Sequence, residues 1–314
     1  MRRLAFAVIA AAVVVPPASA SQLIDRNATG VRLTVSGDGK AMLSFRARGR
    51  HWDVLAWGAI NALHPNARRR QVQFRLDRAG GWGAFGRKLR FRNACQPYDG
   101  PPIAHLVTAC KAADGSYWAV QRWRRLLPNL GFAPWTPPQR AYALHLSHWS
   151  GPTAVLEGYT DWSWNGRFHH IFGRLTYRGR PVFGFRTSRT GARLDKYGRV
   201  VYLDTFGSRH GRGWRRENSF VTHKWTGVFC YTFRARNPRR GGYVYPPGYR
   251  GGARGPGNGA AYRMTVEGPG VTPDVKWQGK GLPWFNASAV AHVAHERAMN
   301  ARLDLFNDRL CRKH

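Results

Sequence analysis

Val31-Arg32-Leu33-Thr34-Val35 and Ala41-Met42-Leu43-Ser44-Phe45-Arg46, joined across Asp38-Gly39, decide the fold class of this chain. Each run alternates in character with period two. That spacing turns one face of an extended strand to a core and the other to water. Asp38-Gly39 supplies the positive φ angles of a tight turn, so the two runs read as an antiparallel hairpin.

The same grammar repeats outward from this hairpin. Residues 52–59 form a largely apolar third run, and 71–76 alternate cleanly. Residues 89–92 read as a strand leading into Cys95. Residues 103–109 and 117–123 flank Asp114-Gly115, a second hairpin signal. Prolines between 128 and 138 mark a loop. A second series follows at 141–148, 153–164, 167–177, 181–187, 199–205 and 227–234, rich in aromatic and β-branched residues. About a dozen strands predict an all-β, sandwich-like fold. The 36 glycines and 13 tryptophans suit many turns and pleated surfaces better than helices.

Residues 237–260 hold Pro and Gly without any period and read as a loop, with a further strand at 261–267. One helix is expected, capped by Asn286 or Ser288 and free of Gly and Pro to about Leu310. Its Met299, Leu303, Phe306 and Leu310 form an apolar stripe for docking on a sheet. The β body is expected over 21–236, as one sandwich-like unit or as two subdomains near 21–138 and 139–236, with 261–314 docked to it.

The first twenty residues have the three-part form of a secretory signal peptide. Arg2-Arg3 precede an apolar run from Leu4 to Val15, and Ala18-Ser19-Ala20 offers small residues for cleavage. The run is too short for a transmembrane helix, which needs about 20 residues. A secreted or envelope-associated protein beginning at Ser21 is expected, with no membrane span in the mature chain. Cys95, Cys110, Cys230 and Cys311 are then an even set in an oxidising compartment. Cys95–Cys110 and Cys230–Cys311 are the preferred pairs, the first closing a short loop and the second stapling the C-terminal segment. The competing zinc reading lacks any C-x-x-C spacing.

The chain carries 50 Lys and Arg against 16 Asp and Glu, a formal charge of +34. Arginine far outnumbers lysine, as a GC-rich coding bias produces. Such a bias does not explain the shortage of acids. A field of this sign attracts polyanions. Outside the cytoplasm these are anionic surface polymers and glycans, with no specific nucleic acid expected. Arg122-Trp123-Arg124-Arg125 and Trp214-Arg215-Arg216 interleave cations with indoles, so Arg122, Arg124, Arg125, Arg215 and Arg216 are the candidate contacts. Exposed structural arginine is the competing reading.

Trp162 and Trp164 fall on one strand face about 6.6 Å apart, with Tyr159 at the opposite parity to Trp162. The pair is a candidate sugar-stacking platform, with Arg167 and His169 beside it for hydroxyls. Core packing is the competing reading. Glu157 and Asp161 are the candidate carboxylates of a glycan hydrolase. Four residues along one strand separate them by about 13 Å, wider than glycoside hydrolysis uses. His292, His295 and Glu296 share a helix face and are the one candidate metal cluster, although their order is not that of H-E-x-x-H. His-x-His is missing from the chain, and no metal or cofactor is expected. The residues point to a non-catalytic binding or envelope protein that contacts anionic polymer or glycan through arginine and aromatic side chains. A secreted hydrolase using Glu157 or Asp161, and a structural protein with no small ligand, are the alternatives.

Overall fold

The computed structural model describes residues 21–58, 74–125, 141–163, 168–182, 201–204, 214–217, 226–235, 261–266, 272–281, 285–308 and Cys311. The protein is predominantly β, and the described strands form four antiparallel sheets. The expected all-β, sandwich-like class is what the chain adopts.

The first half pairs two four-stranded sheets. One has the order β1 (Gln22–Arg26), β8 (Ala141–Trp149), β7 (Tyr117–Arg125), β6 (Leu106–Lys111). The other is a meander of β2 (Thr29–Val35), β3 (Ala41–Ala47), β4 (Arg50–Gly58) and β5 (Phe74–Asp77). Alternate residues from both sheets meet in one core. Leu43, Phe45 and Val54 come from the meander, and Trp118, Val120, Leu144 and Leu146 from the facing sheet. The two hairpin turns sit where the glycine signals put them, with Gly39 at φ 78° and Gly115 at φ 80°.

The second half pairs a larger sheet with a three-stranded one. β9 (Val155–Ser163), β10 (Phe168–Tyr177), β14 (Val228–Ala235) and β13 (Trp214–Glu217) lie side by side, and the two-residue β11 (Arg180–Pro181) pairs with the end of β10. β12 (Val201–Asp204), β15 (Ala261–Val266) and β16 (Val275–Lys280) form the other sheet. Ile171, Leu175, Phe229 and Tyr231 pack against Leu203, Tyr262, Met264 and Val266 between the two. The reverse face of the larger sheet is covered by the helix α2 (Val290–Leu305), whose Leu303, with Met299 and Phe306, meets Tyr159, Trp162 and Phe172.

Several expectations need correction. β8, expected to open the second series, hydrogen-bonds to β7 and β1, so the first sandwich runs past residue 138 to Trp149. Alternation reveals a strand, not its partner. Residues 89–92 are irregular rather than a strand. A single helical turn, α1 (Trp82–Phe85), precedes them. α2 starts later than expected. Its N-cap is Ala289 with no side-chain cap, because the Asn286 carboxamide accepts the Ser288 N–H just before the helix. Met299, Leu303 and Phe306 form the docking stripe as read, and Leu310 lies outside the described residues. The strand at 275–280 was not anticipated.

Both expected disulfides, Cys95–Cys110 and Cys230–Cys311, are present. Cys230–Cys311 joins β14 to the segment after α2, as the staple reading requires. Among the described residues no helix is long and apolar enough to cross a membrane.

Candidate functional site

Trp162 is 3% exposed and packs edge-on against Phe172, while its indole N–H donates to Asn300 on α2 at 2.9 Å. It therefore offers no open face to a sugar ring, and the core reading holds for it. The parity argument fails for a local reason. The β9–β10 register shifts so that Thr160 opposes Ile171 and Trp162 opposes His170. Asp161 is an extra residue on β9, and a second shift leaves His169 extra on β10. Such a bulge turns the following side chain to the other face. Tyr159 and Trp162 consequently share the side covered by α2. Trp164 and Arg167 lie outside the described residues, as do the side chains of Asp161 and His169.

Glu157 is half-buried on β9, opposite Arg174, and accepts the Tyr159 hydroxyl at 3.4 Å. Burial, then the nearby Glu157 carboxylate, raises the Tyr159 phenol above its ordinary range, and the Arg302 guanidinium 5.3 Å from that ring opposes the shift. On α2, His292 Nδ1 accepts the Asn286 N–H at 3.0 Å, and its ring stacks on Phe285. His295 turns its Nε2 to the Thr160 carbonyl at 3.2 Å, tying the helix to the bulged strand. The two imidazoles thus serve different partners, and Glu296 does not complete a site with them. Among the described residues no three His, Cys, Asp or Glu side chains come together to hold a metal.

Of the interleaved arginines, Arg122 is exposed on β7. Its guanidinium lies 5.2 Å from the ring of Tyr142, itself 45% exposed, and donates to the Ala28 carbonyl at 3.2 Å. Trp123 points the other way, into the interior, where its Nε1 donates to Asp274 at 2.6 Å. Period two thus separates the cation from the indole. Arg124 and Arg125 end β7, and Arg215 and Arg216 lie on β13; their side chains are outside the described residues.

Among the described residues, the strongest exposed combination of rings and cations lies elsewhere, in a knuckle that follows β5. The chain turns through Gly80 and Gly81 into α1 and leaves through Gly86, all three at positive φ. Gly81 needs its missing side chain, since a Cβ there would sit 2.9 Å from Leu89 in the neck of the knuckle. Buried Asp77 organises the turn from below: Oδ1 accepts the Ala79 N–H at 2.8 Å and Oδ2 the Ala84 N–H at 2.7 Å. Asp53 on β4 ties down the return, accepting Lys88 at 2.7 Å, Ser44 at 2.7 Å and His51 at 3.1 Å. Burial works against the Asp53 charge, but hydrogen bonds from Lys88, Ser44 and His51 prevail and hold its pKa to about 2.

Above these anchors the tip faces water. Trp82 is 58% exposed and Phe85 43%, three residues apart on one helical turn and so on neighbouring positions. Phe85 rests beside Trp57 at 5.5 Å, with the Lys40 ammonium 5.9 Å from its ring. Arg87, Lys88, Arg90 and Arg92 follow directly, all exposed. Sequence reasoning missed this site. Its signal was the glycine-spaced Gly81-Trp82-Gly83-Ala84-Phe85-Gly86, set in a stretch without periodicity just before four cations.

The carboxylates of the first half are spent on internal partners. Asp25 pairs with Arg48, Asp38 with Lys40, Asp53 with Lys88 and Asp99 with Lys111. Asp77 holds backbone amides and Asp114 holds Ser116. Arg26, Arg32, Arg46, Arg50 and Arg75 stay exposed on the same half, and the Arg50 guanidinium lies 3.9 Å from the Trp52 ring. No known protein family, curated protein or solved structure matches this chain.

Proposed function

We propose that this is an exported, non-catalytic binding protein of the cell envelope that attaches to anionic surface polymer or glycan through arginine and aromatic side chains. The observation that carries the reading is the imbalance on the first sandwich, where each carboxylate has an internal partner and exposed arginines surround them. A surface of one sign concentrates counter-charged polymers, and arginine stacked on a ring keeps its donors available for phosphate, sulfate or carboxylate. Export is supported by the signal-like start of the chain and by disulfides that persist in oxidising compartments.

The test is retention on an anionic polysaccharide such as immobilised heparin, eluted with rising salt. Elution should move to lower salt in an Arg46→Gln, Arg50→Gln, Arg122→Gln variant. Retention that ignores salt, or a variant that elutes with the unmodified protein, rejects charge as the driver. A hydrolase using Glu157 or Asp161 is the second reading. Its support is the bulge at Asp161 and His169, since bulges often re-aim side chains beside active sites. Glycan cleavage that is lost in Asp161→Asn or Glu157→Gln would establish it in place of the first.

A further inference from the structure

We infer that the knuckle around α1 docks on an anionic lipid surface, with Trp82 and Phe85 seated among the headgroups and the following cations on their phosphates. This rests on the reading that the arginine excess serves an anionic partner, and it commits this element to one class of partner.

The tip is apolar and short. Between Gly81 and Gly86 the side chains are an indole, a methyl and a phenyl ring, and none of the α1 residues is buried. An indole seats at the boundary between hydrocarbon and water, where its amphipathic ring satisfies both sides, and a phenyl ring beside it adds apolar area to the wedge. A sugar would ask for something else. Its hydroxyls need acceptors and amides beside a stacking ring, and the tip side chains supply no acceptor. The two carboxylates beneath it are engaged in holding its shape, Asp77 by Ala79 and Ala84, and Asp53 by Ser44, His51 and Lys88. The charge behind the tip is of one sign. Arg87, Lys88, Arg90 and Arg92 are all exposed within ten residues of Trp82, and among them Lys88 is paired with Asp53. A cluster of basic residues behind a shallow aromatic wedge matches anionic headgroups, where each cation strengthens binding about fivefold.

Two probes separate this inference from the broader reading: vesicles of phosphatidylglycerol and phosphatidylcholine against vesicles of phosphatidylcholine alone, and heparin beads. The protein should sediment with the anionic vesicles and not with the neutral ones. Trp82→Ala and Phe85→Ala should each weaken that partition about tenfold, the scale expected for losing an exposed aromatic side chain's burial. Both should shift heparin elution far less than the Arg46→Gln, Arg50→Gln, Arg122→Gln variant does. In the unmodified protein, lipid brominated near the headgroup should quench indole fluorescence, and Trp82→Phe should remove that quenching. Vesicle binding that is absent, or unchanged in the Trp82 and Phe85 variants, overturns lipid docking, and continued heparin retention then leaves the polymer reading standing. Loss of heparin retention together with vesicle binding in Trp82→Ala also overturns it, because the knuckle would then be a general polyanion contact. Failure to bind either probe removes both readings.

Discussion

His105 lies where a histidine meets competing demands. Its backbone is left-handed, with φ 58°, and among the described residues its buried Nε2 has no hydrogen-bond partner. Burial, reinforced by Lys276 and Arg263, lowers its pKa to about 4 from an ordinary 6.5. The folded protein therefore keeps the ring neutral while the unfolded chain protonates it. Below pH 6.5 the unfolded state binds the extra proton, and stability falls until about pH 4, where the folded state binds it too. His105→Asn, which tolerates the same backbone angle, should flatten that slope. Urea titrations at pH 7 and pH 4.5 should show the unmodified protein losing about 1–2 kcal/mol more than the variant, a figure reduced for the ring's partial exposure. Equal losses would mean that His105 does not govern this window. Gly158 poses a steric rather than a charge constraint. A Cβ on β9 at this position would collide with the Met264 methyl and the Trp277 ring across the sandwich. Gly158→Ala should cost about 1–3 kcal/mol by overpacking, measurable as a lowered urea midpoint at unchanged slope.

The knuckle and α2 are elements held in opposite ways. The knuckle has no buried residue in its helix and depends on the Asp77 carboxylate for its shape. Asp77→Ala should remove two charge-assisted hydrogen bonds and cost about 1–3 kcal/mol. Amide exchange should accelerate at Ala79 and Ala84 more than in β3 or β4; uniform acceleration would place Asp77 in the general stability of the sheet instead. α2 has no side-chain N-cap and relies on Leu303 and Phe306 seated on the larger sheet, with Cys230–Cys311 behind them. Replacing both cysteines by alanine should lower stability by about 2–4 kcal/mol. Exchange in α2 should rise more than in β10 and β14, because the bridge crosses from that sheet to the segment following the helix.

At the scale of the molecule, the two sandwiches meet through polar groups. The Gln121 carboxamide of β7 grips the backbone of Asp274, accepting its N–H at 2.7 Å and donating to its carbonyl at 3.0 Å, while also reaching the Ala104 carbonyl at 2.7 Å. The Asp274 carboxylate accepts the Trp123 indole N–H, and His145 Nδ1 lies 3.6 Å away. Gln121 and His145 are fully buried and Asp274 nearly so. Gln121→Leu deletes three hydrogen bonds in a buried setting and should cost about 2–4 kcal/mol. Calorimetry should resolve its unfolding into two steps, one per sandwich. A single unshifted transition would show that the clasp does not couple them.

Features that depend on near neighbours along the chain were legible before folding. Alternation in 31–35 and 41–46, glycines at Gly39 and Gly115, and the Met299–Leu303–Phe306 stripe specify strand, turn and helix through local geometry. The cysteine order favoured the two disulfides that form, because Cys95 and Cys110 close a short loop and leave Cys230 and Cys311 to each other. The charge imbalance, too, is a property of composition. Tertiary structure decided the rest. It chose β1 as the partner of β8, because period two tells a strand its face and not its neighbour. It placed Tyr159 and Trp162 on one side through a single extra residue at Asp161, since a one-residue slip exchanges the faces of a strand. It buried the indole that looked like a platform and exposed Trp82, which stood in a stretch with no period to read. Whether an aromatic is core or surface depends on which sheet or helix covers it, and that cover comes from residues far away in the chain.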